Sequence, residues 1–436
     1  MSALQKQIFE MLMKSQHWHK NMLQDYQFDQ LEQLVRHARQ HTPFYSKRLD
    51  VLFRSDGTIN WERWHDVPIL TRNDLAQYHE GLLSNHLPQA HGHFADFMSS
   101  GTTGLPVKVR QTALAAQAWG ASYWRAHKWW GLDWSRTMCH WPSNNSGPDT
   151  TKPDKDLGPW GNPDYSESKH GKYFMVERIR PTDERLEHLR KYDVSYLESR
   201  SNVPFATAVE ANRMGIATNL KTIIGYSMSV EDEYRATCRK VFGAGYQAIY
   251  SSKEGGKIGY TCGTSNGYHI CAEYIFVEIL DEDGHPCPIG KTGRIVITPF
   301  LSSAQPLIRY DQGDLGMWGD ACTCGVTLPV LSQLSGRVFH LFKFPGGRTL
   351  APTIPDYLRQ QLGALTWQFA QVDTTVVEVR YVPEHVQTAE IVDRIAGIIR
   401  KFFDPDITIQ MKCLSEIPAS PGGKYIKYVC ELSNNK

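Results

Sequence analysis

The 436-residue sequence predicts an α/β protein, in which a large N-terminal domain of mixed α/β sheets precedes a small α+β domain at the C-terminus. Short apolar runs alternate with helical patterns between residues 220 and 250, and this rhythm favours an α/β sheet. Two alternating apolar runs within 274–298 indicate antiparallel or mixed strands. In the last hundred residues, strand-like and helix-like patterns alternate again. We therefore divide the chain into a large domain, 1–336, and a small domain, 337–436.

The first part of the chain is predicted to be helical. Apolar residues recur at helical spacing from Leu23 to Val35, and Thr42-Pro43 breaks the pattern. A further helix is predicted from Ala113 to Trp130. Six tryptophans lie between Trp119 and Trp141, both included, and we assign them to the core because aromatic residues at helical spacing are most often core residues. The alternative that one or two of them line a substrate pocket stays open.

The remaining elements follow from composition and periodicity. Residues 142–170 are polar and rich in glycine and proline, which predicts a long loop or insertion. The predicted strands are Leu220 to Ile224, Gln247 to Tyr250, Tyr274 to Leu280, Gly293 to Thr298, Thr374 to Tyr381 and Ile407 to Met411. The predicted helices that accompany them are Val230 to Phe242 and Thr388 to Phe403.

Composition limits the class of partner. Lysine and arginine, 47 in total, nearly balance 46 aspartate and glutamate residues, so neither nucleic acid nor an anionic membrane surface is expected. A small molecule is the expected partner. The chain has no run as long as a transmembrane helix and its N-terminus has no cleavable apolar region, which predicts a cytoplasmic protein. The nine cysteines, an odd number, indicate reduced thiols or a metal site rather than a disulfide framework.

The segment SSGTTGLP at 99–106 predicts a phosphate-binding loop. Glycine lets the backbone approach a ligand closely, and hydroxyl and backbone N–H groups donate to phosphate oxygens. The segment matches neither the Walker pattern nor the GxGxxG fingerprint. On composition alone it fits a flexible turn equally well.

Five segments in this order resemble the adenylate-forming superfamily of acyl-CoA synthetases. They are SSGTTGLP at 99–106, IYSSKEGG at 249–256, RYDQGDLG at 309–316, SGRVFHLFKFPGG at 335–347 and ASPGGKYIKY at 419–428. The branch that the chain resembles is the phenylacetate-CoA ligase and capsular-biosynthesis type, because HARQHTPFYSKRL at 37–49 is similar to its N-terminal signature.

The resemblance implies a reaction in two steps. A carboxylate, in this branch an aryl or arylacetic acid, attacks the α-phosphorus of ATP to form an acyl-adenylate, and pyrophosphate leaves. The acyl group then passes to CoA while the small domain moves. Two alternatives stay open: a synthetase that delivers to an amine, a carrier-protein thiol or another nucleophile, and a degenerate nucleotide-binding protein without activity. Related enzymes are often dimers.

The resemblance also assigns roles to particular residues. Glu254 would bring in Mg²⁺, Tyr250 would pack near the adenine, and Asp314 would accept hydrogen bonds from the ribose hydroxyls. Arg337 would assist at the ribose or phosphate, and Lys424 would bridge the carboxylate and the α-phosphate. The residues that would hold the β- and γ-phosphates are Ser99, Ser100, Gly101, Thr102, Thr103 and Gly104.

Three positions depart from the family pattern. Lys253 stands where the family has a threonine or serine before the glutamate, and we expect its ammonium group to substitute for metal charge or to alter the anion bound. Gln312 replaces the threonine of the family's TGD motif. Phe339 stands at the hinge position, where the family has an acidic residue or lysine, which puts the second half-reaction in doubt.

A second group of residues has metal-binding chemistry. Cys262 and His269 bracket the segment CGTSNGYH, and Cys322 and Cys324 flank one residue. Thiolate and imidazole ligands in a set of four suit tetrahedral Zn²⁺, although the spacing alone fits free buried cysteines equally well. The resemblance implies a closed structural zinc site, for which Cys271 would be the substitute ligand.

Overall fold

The computed structural model describes residues 2–99, 107–142, 154–161, 170–176, 182–227, 230–337, 342–345, 349–350, 354, 357–403, 406–417 and 426–432. The chain forms two compact units, and the boundary between Leu334 and Ser335 falls within the strand Val330–Arg337, which is described below with unit 1. The α/β fold class predicted from the sequence is confirmed. None of the helices in these described ranges is both long enough and apolar enough to cross a membrane.

Unit 1 holds most of the helices. They are α1 (Ala3–Ser15), α2 (Lys20–His41), α3 (Arg72–Gln77), α4 (Ala113–Trp129), α5 (Thr182–Lys191), α6 (Asn202–Met214) and α7 (Asp232–Phe242). Short 3₁₀ helices follow α2 or flank α3 at Pro43–Tyr45, Asp50–Leu52, Trp61–Asp66, Glu80–Leu82 and Gln89–His91.

The strands of unit 1 form a small hairpin and one large mixed sheet. They are β1 (Phe94–Met98), β2 (Lys108–Thr112), β3 (Thr137–Trp141), β4 (Lys155–Pro159), β5 (Lys172–Met175), β6 (Val194–Arg200), β7 (Thr222–Tyr226), β8 (Gly245–Ser252), β9 (Gly256–Thr261), β10 (Tyr268–Ile270), β11 (Ile275–Leu280), β12 (Thr292–Pro299), β13 (Tyr310–Trp318) and β14 (Val330–Arg337). β1 pairs with β2, and the large sheet has the order β11-β12-β13-β14-β10-β9-β8-β7-β6-β3-β5-β4.

The large sheet changes character at β8. Strands β5, β3, β6, β7 and β8 are parallel neighbours, whereas β8 pairs antiparallel with β9. The chain passes from β3 to β5 on one side and then crosses to β6 on the other, so the direction of winding reverses beside β3. The carboxyl ends of parallel strands at such a reversal form a crevice where α/β proteins bind ligands.

The predicted elements of unit 1 agree with the structure to within a few residues. The helices predicted to end at Thr42 and near Trp130 are α2 and α4, and the antiparallel pair predicted within 274–298 is β11 and β12. Trp134 and Trp141 are buried, and Trp129 and Trp130 pack partly buried against the core, as predicted for the aromatic segment. The loop predicted for 142–170 is wrong in part, because β4 lies within it and pairs with β5. Tertiary pairing there overrides a composition that favours turns.

Unit 2 has its own core and sheet. Its elements are β15 (Phe342–Lys343), β16 (Thr349–Leu350), α8 (Tyr357–Gln361), β17 (Ala364–Asp373), β18 (Val376–Pro383), α9 (Ala389–Arg400), β19 (Thr408–Cys413) and β20 (Tyr428–Cys430). The order β19-β18-β17-β20 places the long β17–β18 hairpin in the centre. Ile395 and Ile399 of α9 are fully buried against this sheet.

Candidate active site

Arg72 connects two of the sequence motifs in space. Thr71 caps α3 and exchanges hydrogen bonds with Asp74, so the capping box fixes Arg72 as the first residue of the helix. Arg72 Nη2 donates to Ser99 Oγ at 2.5 Å, and Arg72 Nη1 lies 3.1 Å from Glu254 Oε1. Only 20% of the Arg72 side chain and 7% of the Glu254 side chain are exposed, so solvent screens this ion pair weakly.

The two ends of the serine- and glycine-rich segment lie together. The Ser99 N–H donates to the carbonyl of Val107 at 2.8 Å, and the Val107 N–H donates back to Ser99 Oγ at 3.3 Å. The β1–β2 hairpin, whose strands run antiparallel, continues this pairing. The predicted phosphate-binding residues Ser100, Gly101, Thr102, Thr103 and Gly104 lie outside the described residues. Ser99 and Val107, which flank these residues, therefore lie together, and Ser99 contacts Arg72.

Glu254 lies in the tight connection between β8 and β9. The Gly255 N–H donates to Ser252 Oγ at 2.8 Å, which closes the turn. Gly256 has φ +68°, and a Cβ on it would meet the Trp119 ring at 2.0 Å, so no larger residue fits there. The hydroxyl of Tyr310 lies 3.5 Å from Glu254 Oε1. The turn is thus held rigidly, with the carboxylate facing Arg72 and Tyr310.

Lys253, the first departure from the family pattern, points away from Glu254. Its carbonyl accepts from Gln111 Nε2 at 2.7 Å, and its Nζ lies 5.3 Å from the centre of the Phe97 ring. Lys253 is exposed, so this cation–π contact is a weak one. The turn and the ring of Phe97 therefore direct the ammonium group toward β1.

Tyr250 and Asp314 form the second contact between motifs. The Tyr250 hydroxyl donates to Asp314 Oδ2 at 2.9 Å, although β8 and β13 are not neighbours in the sheet. Gly313, with φ +69°, lies within β13 just before Asp314, where the pairing with β12 shifts register. Gln312, the second departure, is buried, and its Nε2 has no partner among the described residues. A carboxylate oriented by a tyrosine hydroxyl suits the recognition of hydroxyl groups.

Arg309 positions the third motif and was missed by the sequence analysis. Its guanidinium is buried and pairs with both carboxylate oxygens of Glu278 at 3.1 and 3.2 Å. It also donates to the carbonyls of His65 and Val67 at 2.9 and 2.8 Å. Its carbonyl accepts from the Leu70 N–H at 2.9 Å, which ties the start of β13 to the segment before α3.

Neither Arg72 nor Arg309 could be assigned from its sequence context. Arg72 follows a capping-box threonine, a pattern that marks a helix start and carries no information about a site 182 residues away. Arg309 lies within RYDQGDLG, yet its partners come from three other segments. Of the other predicted site residues, Arg337 is the last residue of β14, whereas Lys424 and Phe339 lie outside the described residues.

The four predicted metal ligands come together. The ligand atoms of Cys262, His269, Cys322 and Cys324 all lie within 4.8 Å of one another. Cys262 Sγ is 3.6 Å from Cys322 Sγ, and Cys324 Sγ is 3.4 Å from His269 Nε2. No disulfide forms among the described cysteines. Cys271 lies apart from this cluster, where its Sγ accepts from Arg125 Nη2 at 3.7 Å.

The pKa values of these thiols favour the binding of a cation among them. Burial alone would raise the pKa of Cys262, but the backbone N–H groups of Ser265 and Thr264 hold that pKa below its ordinary value. Burial, together with the neighbouring thiols, raises the pKa of Cys324 to about 12. The thiols cannot all ionise side by side without a compensating positive charge. Three sulfurs and one imidazole nitrogen are the donor set of a tetrahedral structural Zn²⁺ site, so the residues fit that ion.

Comparison with known proteins shows which sequences and folds this chain resembles. No family model matches the chain. The chain is 27% identical over 183 residues to a phenylacetate-coenzyme A ligase of Thermus thermophilus, a match that spans 36% of this chain and 41% of that protein. A solved 2-hydroxyisobutyryl-CoA ligase in its postadenylation state, bound to an acyl-AMP, superposes with TM-score 0.70 at 17% identity over 93% of this chain and 89% of that one. The chain has the adenylate-forming fold.

This adenylate-forming fold is shared by enzymes with different acceptors. An amide bond synthetase from Marinactinospora thermotolerans superposes with TM-score 0.52 at 14% identity, over 76% of this chain and 66% of that one. In this chain the fold brings Ser99, Glu254, Tyr250 and Asp314 to one side of unit 1 through the contacts described above.

Proposed function

We propose that this protein activates a carboxylic acid with ATP, forming an acyl-adenylate and releasing pyrophosphate. The observation that carries the proposal is the bridge made by Arg72, which holds the start of the serine- and glycine-rich segment next to Glu254. A phosphate cradle, a cation and a metal-binding carboxylate in contact are the parts that phosphoryl chemistry needs, because both reactants are anions.

Each described residue then has a role in the first step. Ser99 opens the phosphate cradle, and Glu254 would hold a Mg²⁺ ion, which would supply positive charge to the phosphates. Arg72 neutralises Glu254 until nucleotide arrives and then donates to the phosphates. Tyr250 packs by the adenine and orients Asp314 toward the ribose hydroxyls. Lys424, and Arg337 in support, complete the positive charge around the α-phosphate.

The proposed acceptor is CoA, and the proposed acids are aryl or arylacetic acids. The fold supports CoA through the ligases that share it and equally supports an amine through the amide bond synthetase. The small C-terminal domain, proposed to move between the two half-reactions, would bring the acceptor. We further propose that Cys262, His269, Cys322 and Cys324 hold a structural zinc ion, and that the protein acts in the cytoplasm as a dimer.

ATP–pyrophosphate exchange with a panel of acids tests the first step. Exchange that depends on one class of acid, and that Lys424→Ala and Glu254→Gln abolish, is the expected result. Glu32→Gln is the matched control, since Glu32 is partly exposed on α2 and pairs with Arg36 of the same helix. ATP binding without exchange for any acid would favour the alternative of a non-catalytic nucleotide-binding protein.

The acceptor is tested separately, with the acid found by exchange. Thioester formation with CoA is expected to exceed amide formation with hydroxylamine or an amine panel. Amide formation without CoA consumption would move the proposal to the amine-directed synthetase.

A further inference from the structure

A group of polar side chains lies inside unit 1 at the carboxyl ends of the parallel strands. It is located beside β3, where the winding of the sheet reverses. His140 of β3 and Glu198 of β6 are partners in the parallel register. This is the position where an open α/β sheet forms a ligand crevice. The two residues lie 58 positions apart in the chain, from 140 to 198.

Direct contacts join the members of this group. His140 Nδ1 lies 3.2 Å from Glu198 Oε2, and the Tyr173 hydroxyl lies 3.5 Å from the same oxygen. The Tyr226 ring stacks on the His140 ring at 5.6 Å and 5°. The side chains of His140 and Glu198 are 19% and 10% exposed, so both lie largely buried inside the unit.

Helix α4 connects this group with the turn that carries Glu254. Trp119, Tyr123 and His127 lie four residues apart and therefore share one face of α4. Trp119 packs against Gly256, and Lys257 Nζ lies 5.3 Å from the centre of the Tyr123 ring. At 1.5 Å per residue, the face runs about 12 Å from Trp119 to His127. We name Tyr123, His127, His140, Tyr173, Glu198 and Lys257 the Glu198 cluster.

One member of the cluster has buried polar atoms that the described residues leave unsatisfied. His127 is 3% exposed, and neither of its ring nitrogens has a partner among those residues. The hydroxyl of Tyr123 is buried and hydrogen-bonded to the Glu198 side chain, while its ring is partly exposed. Burial lowers the pKa of His127 to about 3, so the imidazole is neutral and has one donor and one acceptor nitrogen. Native proteins rarely leave such groups unpaired, which points to a ligand.

We propose that the Glu198 cluster binds a hydroxyl group at the end of the acid substrate remote from its carboxylate. The substrate class is therefore the hydroxylated carboxylic acids, bound along the α4 face with the carboxylate toward Glu254 and the hydroxyl toward His127 and Tyr123. This inference rests on the proposed adenylation of a carboxylic acid and narrows its substrate.

Charge and hydrogen-bonding capacity favour a hydroxyl over other polar groups. Burial alone would raise the pKa of Glu198, but His140 and Lys257 hold it at about 2, so the carboxylate is ionised. A second carboxylate would be repelled by Glu198, and an ammonium group would be repelled by Lys257. A hydroxyl is neutral, and it can donate to the acceptor nitrogen of His127 or to the Tyr123 oxygen.

The test compares pairs of acids that differ by one hydroxyl. ATP–pyrophosphate exchange is measured with 4-hydroxyphenylacetate against phenylacetate, and with 6-hydroxyhexanoate against hexanoate. Binding of the same pairs is measured by calorimetry in the presence of a non-hydrolysable ATP analogue. A hydroxylated acid is expected to exceed its partner by roughly tenfold or more, because a site built to bond a hydroxyl discriminates against analogues that lack it.

Variants connect this preference to the cluster. In both assays, Tyr123→Phe and Glu198→Gln are expected to bring the ratio between the hydroxylated acid and its unhydroxylated partner toward one. Tyr45→Phe is the control, since Tyr45 is buried in the same core and its hydroxyl donates to the Pro306 carbonyl. Thermal melting of each variant separates loss of preference from loss of folding.

The outcomes separate the two proposals. Exchange with no hydroxyl preference, or a preference that both cluster variants keep, overturns this inference and leaves adenylation standing. If calorimetry shows that hydroxylated acids bind more tightly than their partners, but no acid supports pyrophosphate exchange, this inference is supported and the proposed adenylation is overturned. A preference lost in Tyr123→Phe and kept in Tyr45→Phe supports both when exchange is also observed.

Discussion

Arg72 Nη1 lies 3.1 Å from Glu254 Oε1, although 182 residues separate the two in the chain. The same guanidinium donates to Ser99 Oγ at 2.5 Å. A planar guanidinium can hold two groups in fixed directions, whereas a lysine ammonium group acts as a point charge. The contact therefore positions Ser99, the first residue of the proposed phosphate cradle, against the proposed magnesium ligand Glu254.

Replacement of this guanidinium should impair the chemical step. Arg72→Lys keeps the charge and loses the two-pronged geometry, so we expect pyrophosphate exchange to fall by roughly 10²-fold, the loss typical of an oriented donor. Exchange kinetics at saturating ATP measure this. Arg63→Lys, which changes an exposed arginine paired with Asp66, should leave exchange intact. Equal exchange rates for Arg72→Lys and the wild type would show that the guanidinium of Arg72 does not contribute to the chemical step.

The Tyr250 hydroxyl should contribute to nucleotide affinity. Tyr250→Phe removes the 2.9 Å hydrogen bond to Asp314, and we expect KM for ATP to rise by up to about tenfold, which corresponds to about 1.4 kcal/mol. Tyr268→Phe, a neighbouring buried tyrosine, should leave KM unchanged. A double-mutant cycle with Asp314→Asn measures the coupling. Strictly additive effects would show that the contact is irrelevant to ATP binding.

Gly256 should tolerate no side chain. Gly256→Ala forces a left-handed residue and also places Cβ 2.0 Å from Trp119, so we expect a loss of roughly 2–5 kcal/mol in the free energy of unfolding. Gly284 has φ +84° and nothing within 4 Å of its Cβ position. Gly284→Ala should therefore lose only the backbone part, about 1–2 kcal/mol. Urea denaturation of both variants compares them, and equal losses would contradict the packing argument.

The cysteine and histidine cluster should bind one zinc ion per chain. Elemental analysis of the purified protein measures this directly. Cys322→Ser removes one of four ligands and should lower both the zinc content and the melting temperature, because a structural metal contributes folding free energy. Cys413→Ser, at an exposed cysteine, is the control. Zinc-free protein that melts at the same temperature with or without added zinc would argue for free thiols.

His127 should make stability depend on pH in acid. Its pKa is about 3 when folded and 6.5 as the reference value, so below pH 6.5 the unfolded chain binds a proton that the folded protein excludes. The free energy of unfolding should fall as pH decreases, by about 2 kcal/mol between about pH 6.5 and 5 from this residue alone. His127→Gln should flatten that part of the urea-denaturation profile. Parallel profiles for variant and wild type would show that His127 titrates normally.

The sequence predicted the motif residues because their chemistry recurs in short segments. Glu254 contacts Arg72, and Tyr250 contacts Asp314, while the roles assigned to these residues stay predictions. Arg72 was not predictable, since a lone arginine after a capping threonine is typical of any helix start.

The Glu198 cluster could not be predicted from the sequence either. Glu198 and His140 meet only because β6 and β3 pair in parallel with a particular register, which depends on the whole sheet. The strand β4 was missed for a related reason. Its sequence contains glycine and proline, which favour turns, and only its pairing with β5 makes it a strand.

The composition of β4 has a consequence for aggregation. Among the described strands β4 is the end strand of the large sheet, next to β5, and an open sheet edge can recruit a strand from another molecule. Lys155 and Asp156 place charges on this edge, Pro159 removes a backbone donor, and the pairing is irregular between Asp156 and Pro159. The features that make the segment a poor strand former therefore protect the sheet from intermolecular β-pairing and fibre growth.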